Sequence, residues 1–259
     1  MEIYRRLSPY RDLIYVFIWR QFGVRYRNSI LGVLWAIIQP LSMMLLFTFI
    51  FTFIMDVDLG SFPKPVFFLS ALLPWTFFSS SLTFSISSIS SSQNLITKIY
   101  FPREILPISG IVVALIDLLI ASCLYVVLLI YFNISLNYTL IWIIPIFALL
   151  FIYTLSLSLI FSSLNIYYKD VGLITSFLIR LLFFGSPILY SIDKLSFKLK
   201  LLLFMNPLTF IIENTRRVIL EGRDIVLWQF ALAFVLVLIL FHFSYKLFIK
   251  IERDFADVI

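Results

Sequence analysis

The groups that could do chemistry are few, and their spacing excludes most reactions. Seven glycines stand at 23, 32, 60, 110, 172, 185 and 222, and none precedes a lysine. The phosphate-cradling loop of an ATPase is therefore absent. A single cysteine, Cys123, leaves no internal disulfide and no cysteine cluster for a metal. A single histidine, His242, excludes a multi-histidine metal centre, and its place near the end of an apolar run suits an interfacial side chain. Catalysis needs a nucleophile or a base with an orienting partner, and no close-spaced set of that kind stands out. Inside the long apolar stretches two ionisable residues remain, Asp117 and Arg180. Proton coupling draws on intramembrane acids or a histidine relay. One aspartate serves equally well as a structural group paired to a polar neighbour.

Nine serines lie between 79 and 92, and Ser81, Ser85, Ser88 and Ser92 fall at helical spacing as one small, polar stripe. Such a stripe lets helices approach closely and bond across. It would also make a hydroxyl-lined wall for a polar solute, and spacing does not separate these readings. The 47 aromatics of the 259-residue chain suit interfacial belts and lipid-facing bulk, and some could stack on sugar rings.

The elements that must carry these residues follow from hydropathy. The chain is 62% hydrophobic and 13% charged, against about half and about a quarter in a soluble domain. Uncharged stretches cover 29–54, 65–97 and 225–245, while 105–168 carries Asp117 alone and 171–192 Arg180 alone. A bilayer takes about 20 apolar residues per helix, so the sequence describes an all-α polytopic membrane protein. The spans are expected at about 29–54, 66–91, 106–131, 140–164, 172–190 and 225–245, six in one domain over 1–259. Continuous apolar runs rule out the alternating pattern of an outer-membrane barrel. Eight charges in the first 28 residues argue against a cleaved leader. With six spans both termini share a side. Placing them in the cytoplasm puts twelve Lys and Arg inside and seven outside, with Arg180 in a span. The net charge of +6 reads as this topology and not as nucleic-acid binding.

Two segments depart from simple spans. Ser8-Pro9 is a helix start, and Leu13, Ile14, Phe17 and Ile18 then share a face flanked by Arg11, Asp12 and Arg20. An amphipathic helix over about 8–22 should lie in the interface plane, as an anchor or in subunit coupling. Between the fifth and sixth spans, Leu201 to Ile212 is apolar but 12 residues long and is interrupted by Asn206-Pro207. Proline breaks a continuous helix there, so two short re-entrant helices over about 195–220 are expected. With Asn206, Pro207, Glu213, Arg216 and Arg217 they form either a gate, whose charges meet the passage, or a static external cap.

The sequence resembles the membrane permease of polysaccharide-exporting ABC transporters of the ABC-2 type, which carry O-antigen, capsule or teichoic acid. The resemblance rests on blocks in order: Arg25-Tyr26-Arg27-Asn28-Ser29-Ile30-Leu31-Gly32-Val33-Leu34-Trp35 leading to Gln39-Pro40; Asn94-Leu95-Ile96-Thr97-Lys98-Ile99-Tyr100-Phe101-Pro102-Arg103-Glu104-Ile105-Leu106-Pro107; Tyr168-Lys169-Asp170-Val171-Gly172; Ser186-Pro187-Ile188-Leu189-Tyr190; and Asn206-Pro207-Leu208-Thr209. Gln39 and Lys169 are small departures, where Asn and Arg are common.

The resemblance implies a transport permease rather than an enzyme, in the cell inner membrane, exporting a lipid-linked polysaccharide such as O-antigen. Two copies would form the channel, each bound on the cytoplasmic side by an ATP-binding subunit that holds ATP and magnesium, with no cofactor in this chain. The expected docking residues are Lys98, Tyr100, Phe101, Pro102, Arg103 and Glu104, unless these are ordinary loop charges beside a span end. A six-span chain has little room for a wide polar passage, so a homodimer is expected, with the first and fifth spans at the seam. The alternatives are an ABC-2 exporter of teichoic acid, drugs or small lipids, and, more remotely, a membrane enzyme acting on lipid-linked sugars.

Overall fold

Lipid offers no hydrogen bonds, so a chain this apolar must satisfy its backbone within each segment. In the computed structural model, which describes residues 6–57, 62–192, 195–252 and 255, it does so with helices. A turn at Ser8–Tyr10 leads into α1 (Arg11–Tyr26). Then come α2 (Gly32–Ile54), α3 (Lys64–Ser88), α4 (Ile105–Tyr131), α5 (Tyr138–Tyr167) and α6 (Asp170–Phe184). Two short helices, α7 (Phe197–Phe204) and α8 (Pro207–Ile219), precede α9 (Leu227–Glu252). Among the described residues, α2, α3, α4, α5 and α9 are long and apolar enough to cross a membrane.

The bundle is built around α3. Within its most apolar stretch 78% of residues are buried, against 11% for α2 and 22% for α9. It packs most extensively on α4, then on α5 and α2, and also meets α8 and α6; α9 lies along α5. Such crowding requires small side chains at the seams. The Ser85 hydroxyl donates to the Pro107 carbonyl of α4 at 3.1 Å. At Gly110 an added Cβ would lie 3.2 Å from the Phe84 Cβ, so α3 and α4 touch almost backbone to backbone. Other hydroxyls donate back to their own helix, as Ser88 to the Ser85 carbonyl and Thr154 to the Leu150 carbonyl, both at 2.7 Å.

The ends gather in two groups. At one, α1, the segment after α3 and the end of α9 meet. At the other, the turn after α4 holds the turn after α8. There Trp142 Nε1 donates to Asp224 at 2.9 Å, and the Thr139 hydroxyl to the Val218 carbonyl at 2.9 Å.

Several boundaries differ from the expected ones. One difference is in the expected fifth span, 172–190, where the helix covers Asp170–Phe184 and stops at Gly185. At about 1.5 Å per residue it rises roughly 22 Å, short of a bilayer core of about 30 Å. Its successor residues are tied elsewhere: Asn206 Nδ2 donates to Ser186 Oγ at 3.0 Å, and Arg216 holds the carbonyls that follow. The last helix runs seven residues past 245, because Ser244, Phe248 and Glu252 remain buried against the bundle. α1 continues beyond residue 22 to Tyr26, which places Arg25 and Tyr26 on Asp117. Arg5 and Arg253, counted above as inside charges, lie outside the described residues.

Gly222 has φ +61°, and a Cβ there would lie 2.2 Å from Asn137 Nδ2. Gly222→Val adds left-handed strain of about 1–3 kcal/mol and a clash with the neighbouring turn. The expected outcome is a lower thermal midpoint in detergent, read by intrinsic fluorescence, whereas Gly23→Ala, inside α1 and with nothing within 4 Å to meet, does not lower it and by helix propensity raises it slightly.

Candidate functional site

Chemistry-bearing side chains gather at four places. The first is the end where α1, the segment 93–104 and α9 converge. One helical turn, Gln93–Ile96, leads into Lys98, Ile99 and Tyr100, all exposed, with Tyr100 at 79%. The next residues turn inward. Phe101 is 3% exposed, its ring 5.5 Å from that of Phe17 in α1, and Pro102 is buried beside it. The Arg103 backbone N–H donates to Glu252 Oε1 at 2.9 Å, and its guanidinium to the Glu252 carbonyl. Arg6 bonds the other Glu252 oxygen and lies 3.4 Å from Glu104, which is fully buried.

This corrects the expected docking set. Phe101, Pro102 and Glu104 are part of the chain's own core, because an apolar ring and a proline find better cover on α1 than in water. Arg103 is engaged with the end of α9. Lys98, Ile99 and Tyr100 are the exposed residues of the segment's tip.

Burial pushes the Glu104 carboxyl up to about 7, and Glu252 adds to the push; its own backbone N–H and Arg6 oppose it.

The second place is Asp117 in α4. Tyr26 of α1 donates its hydroxyl to Asp117 Oδ1 at 2.5 Å, and Arg25 pairs with Oδ2 at 2.8 Å. Arg25 also lies over the Phe84 ring at 4.5 Å. Asp117 is thus the paired structural group, and its partners come from the amphipathic helix. A cavity of about 20 Å³, room for roughly one water, separates this pair from Gln39, Thr76 and Ser80.

The third place is the surface that α3 leaves uncovered. Ser81, Ser85, Ser88 and Ser92 are all buried within the chain, so they fill a packing seam and do not line an open passage. The physical reason is register. One residue along a helix turns the side chain by about 100°, and the neighbouring set Thr76, Ser80, Thr83 and Ser87 faces outward. Thr76 and Ser80 are half-buried, Thr83 and Ser87 exposed. Each exposed hydroxyl donates to its own helix, Thr83 to the Ser79 carbonyl at 2.8 Å and Ser87 to Phe84 at 3.5 Å. Their lone pairs stay open as acceptors. Phe183 of α6 packs on both Phe47 of α2 and Trp75 of α3, which joins these three helices near one end of the strip. On α6 Arg180 is exposed, and among the described residues no acid pairs with it.

The fourth place is 195–220. Two short helices meet at Asn206-Pro207, and Asn206 caps α8 by accepting from the Leu208 N–H at 3.1 Å. Arg216 of the expected gate is turned into the protein. It is 4% exposed, donates to the carbonyls of Pro187, Ile188 and Tyr190, and lies 3.7 Å over the Phe67 ring. Buried carbonyls after the end of α6 need donors, and a fork of guanidinium N–H groups supplies them. Arg217 faces outward, its Nε donating to the Asp224 carbonyl at 2.7 Å; Glu213 is half-buried on the same helix.

Sequence reasoning missed the Arg6–Glu252 and Arg25–Asp117 pairs. Separations of 246 and 92 residues carry no periodic signal, although an acid in an apolar span already demanded a partner.

A model of the ABC-2 type transporter family matches residues 12–220. The chain is 30% identical over 249 residues to an O-antigen export system permease protein, RfbA, of Klebsiella pneumoniae, covering 96% of this chain and 95% of that one. It is 30% identical over 229 residues to RfbA of Myxococcus xanthus, 86% of each chain. It is 29% identical over 213 residues to the polysialic acid transport protein KpsM of Escherichia coli, covering 78% and 79%.

A raised carboxyl favours the folded state in its protonated form. Stability is therefore full below the ordinary value of 4.5, falls as pH rises toward about 7, and is flat above it. Glu104→Gln is expected to remove that fall, measured as the thermal midpoint of the detergent-solubilised protein between those limits.

Proposed function

The chain belongs to the ABC-2 type transporter family, and from that premise we propose that it is the channel-forming permease through which a lipid-linked polysaccharide of the O-antigen kind leaves the cytoplasm. It is a multi-pass membrane protein and a transport permease of the polysaccharide-exporting branch, not an enzyme. Its partner is an ATP-binding subunit that carries out the ATP hydrolysis. In our reading that subunit also holds the magnesium, both termini face the cytoplasm, and the membrane is the inner one.

One observation carries the passage: the open hydroxyl strip of α3 beside the exposed Arg180 of α6. A charge at bilayer depth costs about 2.5–3.5 kcal/mol even on insertion scales, so Arg180 faces water. Sugar hydroxyls suit a wall of hydroxyl acceptors that is already satisfied as donor. A single copy leaves this face open, and a second copy related by a two-fold axis closes it. The bare apolar faces of α2 and α6, with Leu45, Phe49, Leu173 and Phe177 exposed, form the seam. α6 is then the fifth of six crossings, short and completed by the turn that Arg216 holds. The helices α7 and α8 dip into the outer leaflet as a gate in which Glu213 and Arg217 stand toward the mouth and Arg216 is the anchor.

Coupling runs through the tip at Lys98, Ile99 and Tyr100. Because Arg103 and Glu104 tie this segment to α1 and α9, a push on the tip moves both termini with it.

Two measurements test this. Thr83→Cys, in a Cys123→Ser background, is expected to react with a bulky water-soluble thiol reagent, and the reaction to stop export by the assembled complex. Undiminished export after complete reaction would remove the strip from the passage. Tyr100→Ala is expected to leave the permease folded and weaken docking of the ATP-binding subunit roughly tenfold. Phe101→Ala opens a core cavity worth about 3–5 kcal/mol and lowers the yield of folded permease itself.

A further inference from the structure

α7 stands away from the bundle. None of its residues is buried, and Phe197, Leu201 and Met205 are strongly exposed. Between it and α9 runs a groove of about 420 Å³, with Phe204 and Leu201 on one wall, Trp228, Leu232 and Leu236 on the other, and Phe210 among its lining. That volume lies within the roughly 300–1,000 Å³ of small-ligand sites. The groove does not end in lipid. It adjoins, through the shared residues Lys200, Phe204 and Gln229, a second chamber of about 390 Å³. The second chamber is polar and of mixed charge, with Lys200, Arg217 and Arg223 beside Glu213 and Glu221, the last of which lies 3.4 Å from Arg223.

We propose that this pair of chambers binds one phospholipid with an ethanolamine headgroup, an acyl chain in the groove and the headgroup in the charged chamber. Length and apolar lining suit a hydrocarbon chain, and the junction at Lys200 sets where the chain ends and the phosphate begins. The mixture of signs selects the headgroup. A phosphate accepts from the Lys200 and Arg217 side, and an ammonium meets the Glu213 and Glu221 carboxylates. A purely anionic headgroup, or the diphosphate of a polyprenyl carrier, would set negative charge against both acids. An apolar helix of a second copy would fill the groove and leave the charged chamber without a counterpart. The bound lipid would wedge α7 against α9, so that the position of the α7–α8 pair depends on the lipid present.

Trp228 lines the groove and reports on it. The permease assembled with its ATP-binding subunit in detergent is titrated with phosphatidylethanolamine carrying brominated acyl chains, which quench nearby tryptophan. The signal is the difference between the parent and Trp228→Phe. The expected result is a saturable quench whose half-point lies roughly tenfold lower than with brominated phosphatidylglycerol, a margin of one charge-assisted hydrogen bond. Arg217→Gln shifts the phosphatidylethanolamine half-point upward by a similar factor, with the thermal midpoint showing that the fold is kept. Leu236→Trp, in the Trp228→Phe background, regains the saturable signal from the same wall. The proposal is overturned by quenching that is non-saturating or equal for both headgroups, which marks ordinary lipid contact. It is equally overturned if no Trp228-dependent signal exists, or if a polyprenyl diphosphate displaces the brominated lipid and unlabelled phosphatidylethanolamine does not.

Discussion

A helix surrounded by other helices can seat large rings such as Phe68 and Phe78 only where its neighbours stand apart; where backbones come close it has room for neither bulk nor solvent, and α3 is such a helix. Its answer is serine. A hydroxyl is small enough for backbones to approach, and it satisfies its donor on a carbonyl of its own or an adjacent helix. The Ser85–Pro107 bond and the contact at Gly110 fix α4 against α3. α5, with Ser156, Ser162 and Ser163 buried and each donating to a carbonyl of its own helix, follows the same rule. Everything else is arranged around this centre, including which face of α3 is left for water.

The two ends of the bundle are fastened by different means. At one end the fastening is ionic: Arg6, Arg103 and Glu252 join the first helix, the segment after α3 and the last helix, with Glu104 buried among them. Removing one member would strand a buried charge, the costly way to break such a set. At the other end the fastening is by carbonyls and single side chains, with Arg216 holding the turn after α6 and Asp224 taking the Trp142 N–H. The ionic end is rigid and apt to pass force. At the other end α8 is buried against α3 and α5, and α7 is the lightly attached helix, which suits an element that moves.

Three arginines and one aspartate show how similar residues acquire opposite roles in an apolar setting. Arg216 is buried and saturated by carbonyls, Arg25 neutralises Asp117, and Arg180 has neither kind of partner among the described residues. The first two are structural by virtue of their neighbours. The third stays exposed on the surface of the single chain, and that contrast is what the proposed passage rests on.

Sequence alone determined what local pattern can carry. Apolar length and charge gaps placed the helices, Asn206-Pro207 divided the segment before the last helix into two, and the motif blocks named the family. Missing glycine–lysine pairs placed ATP hydrolysis elsewhere. Tertiary structure decided which side of each helix is inside. The serine stripe at 81, 85, 88 and 92 and the open one at 76, 80, 83 and 87 have the same spacing, offset by five residues or about 140° around the helix, and both are polar. Their sequence pattern could not tell core from passage, because hydropathy distinguishes faces only when they differ in polarity. The same holds for Phe101 and Tyr100, adjacent aromatics of which one is buried on Phe17 and one exposed. Ion pairs across 246 residues depend on where chain ends meet in space, and no spacing in the chain encodes that meeting.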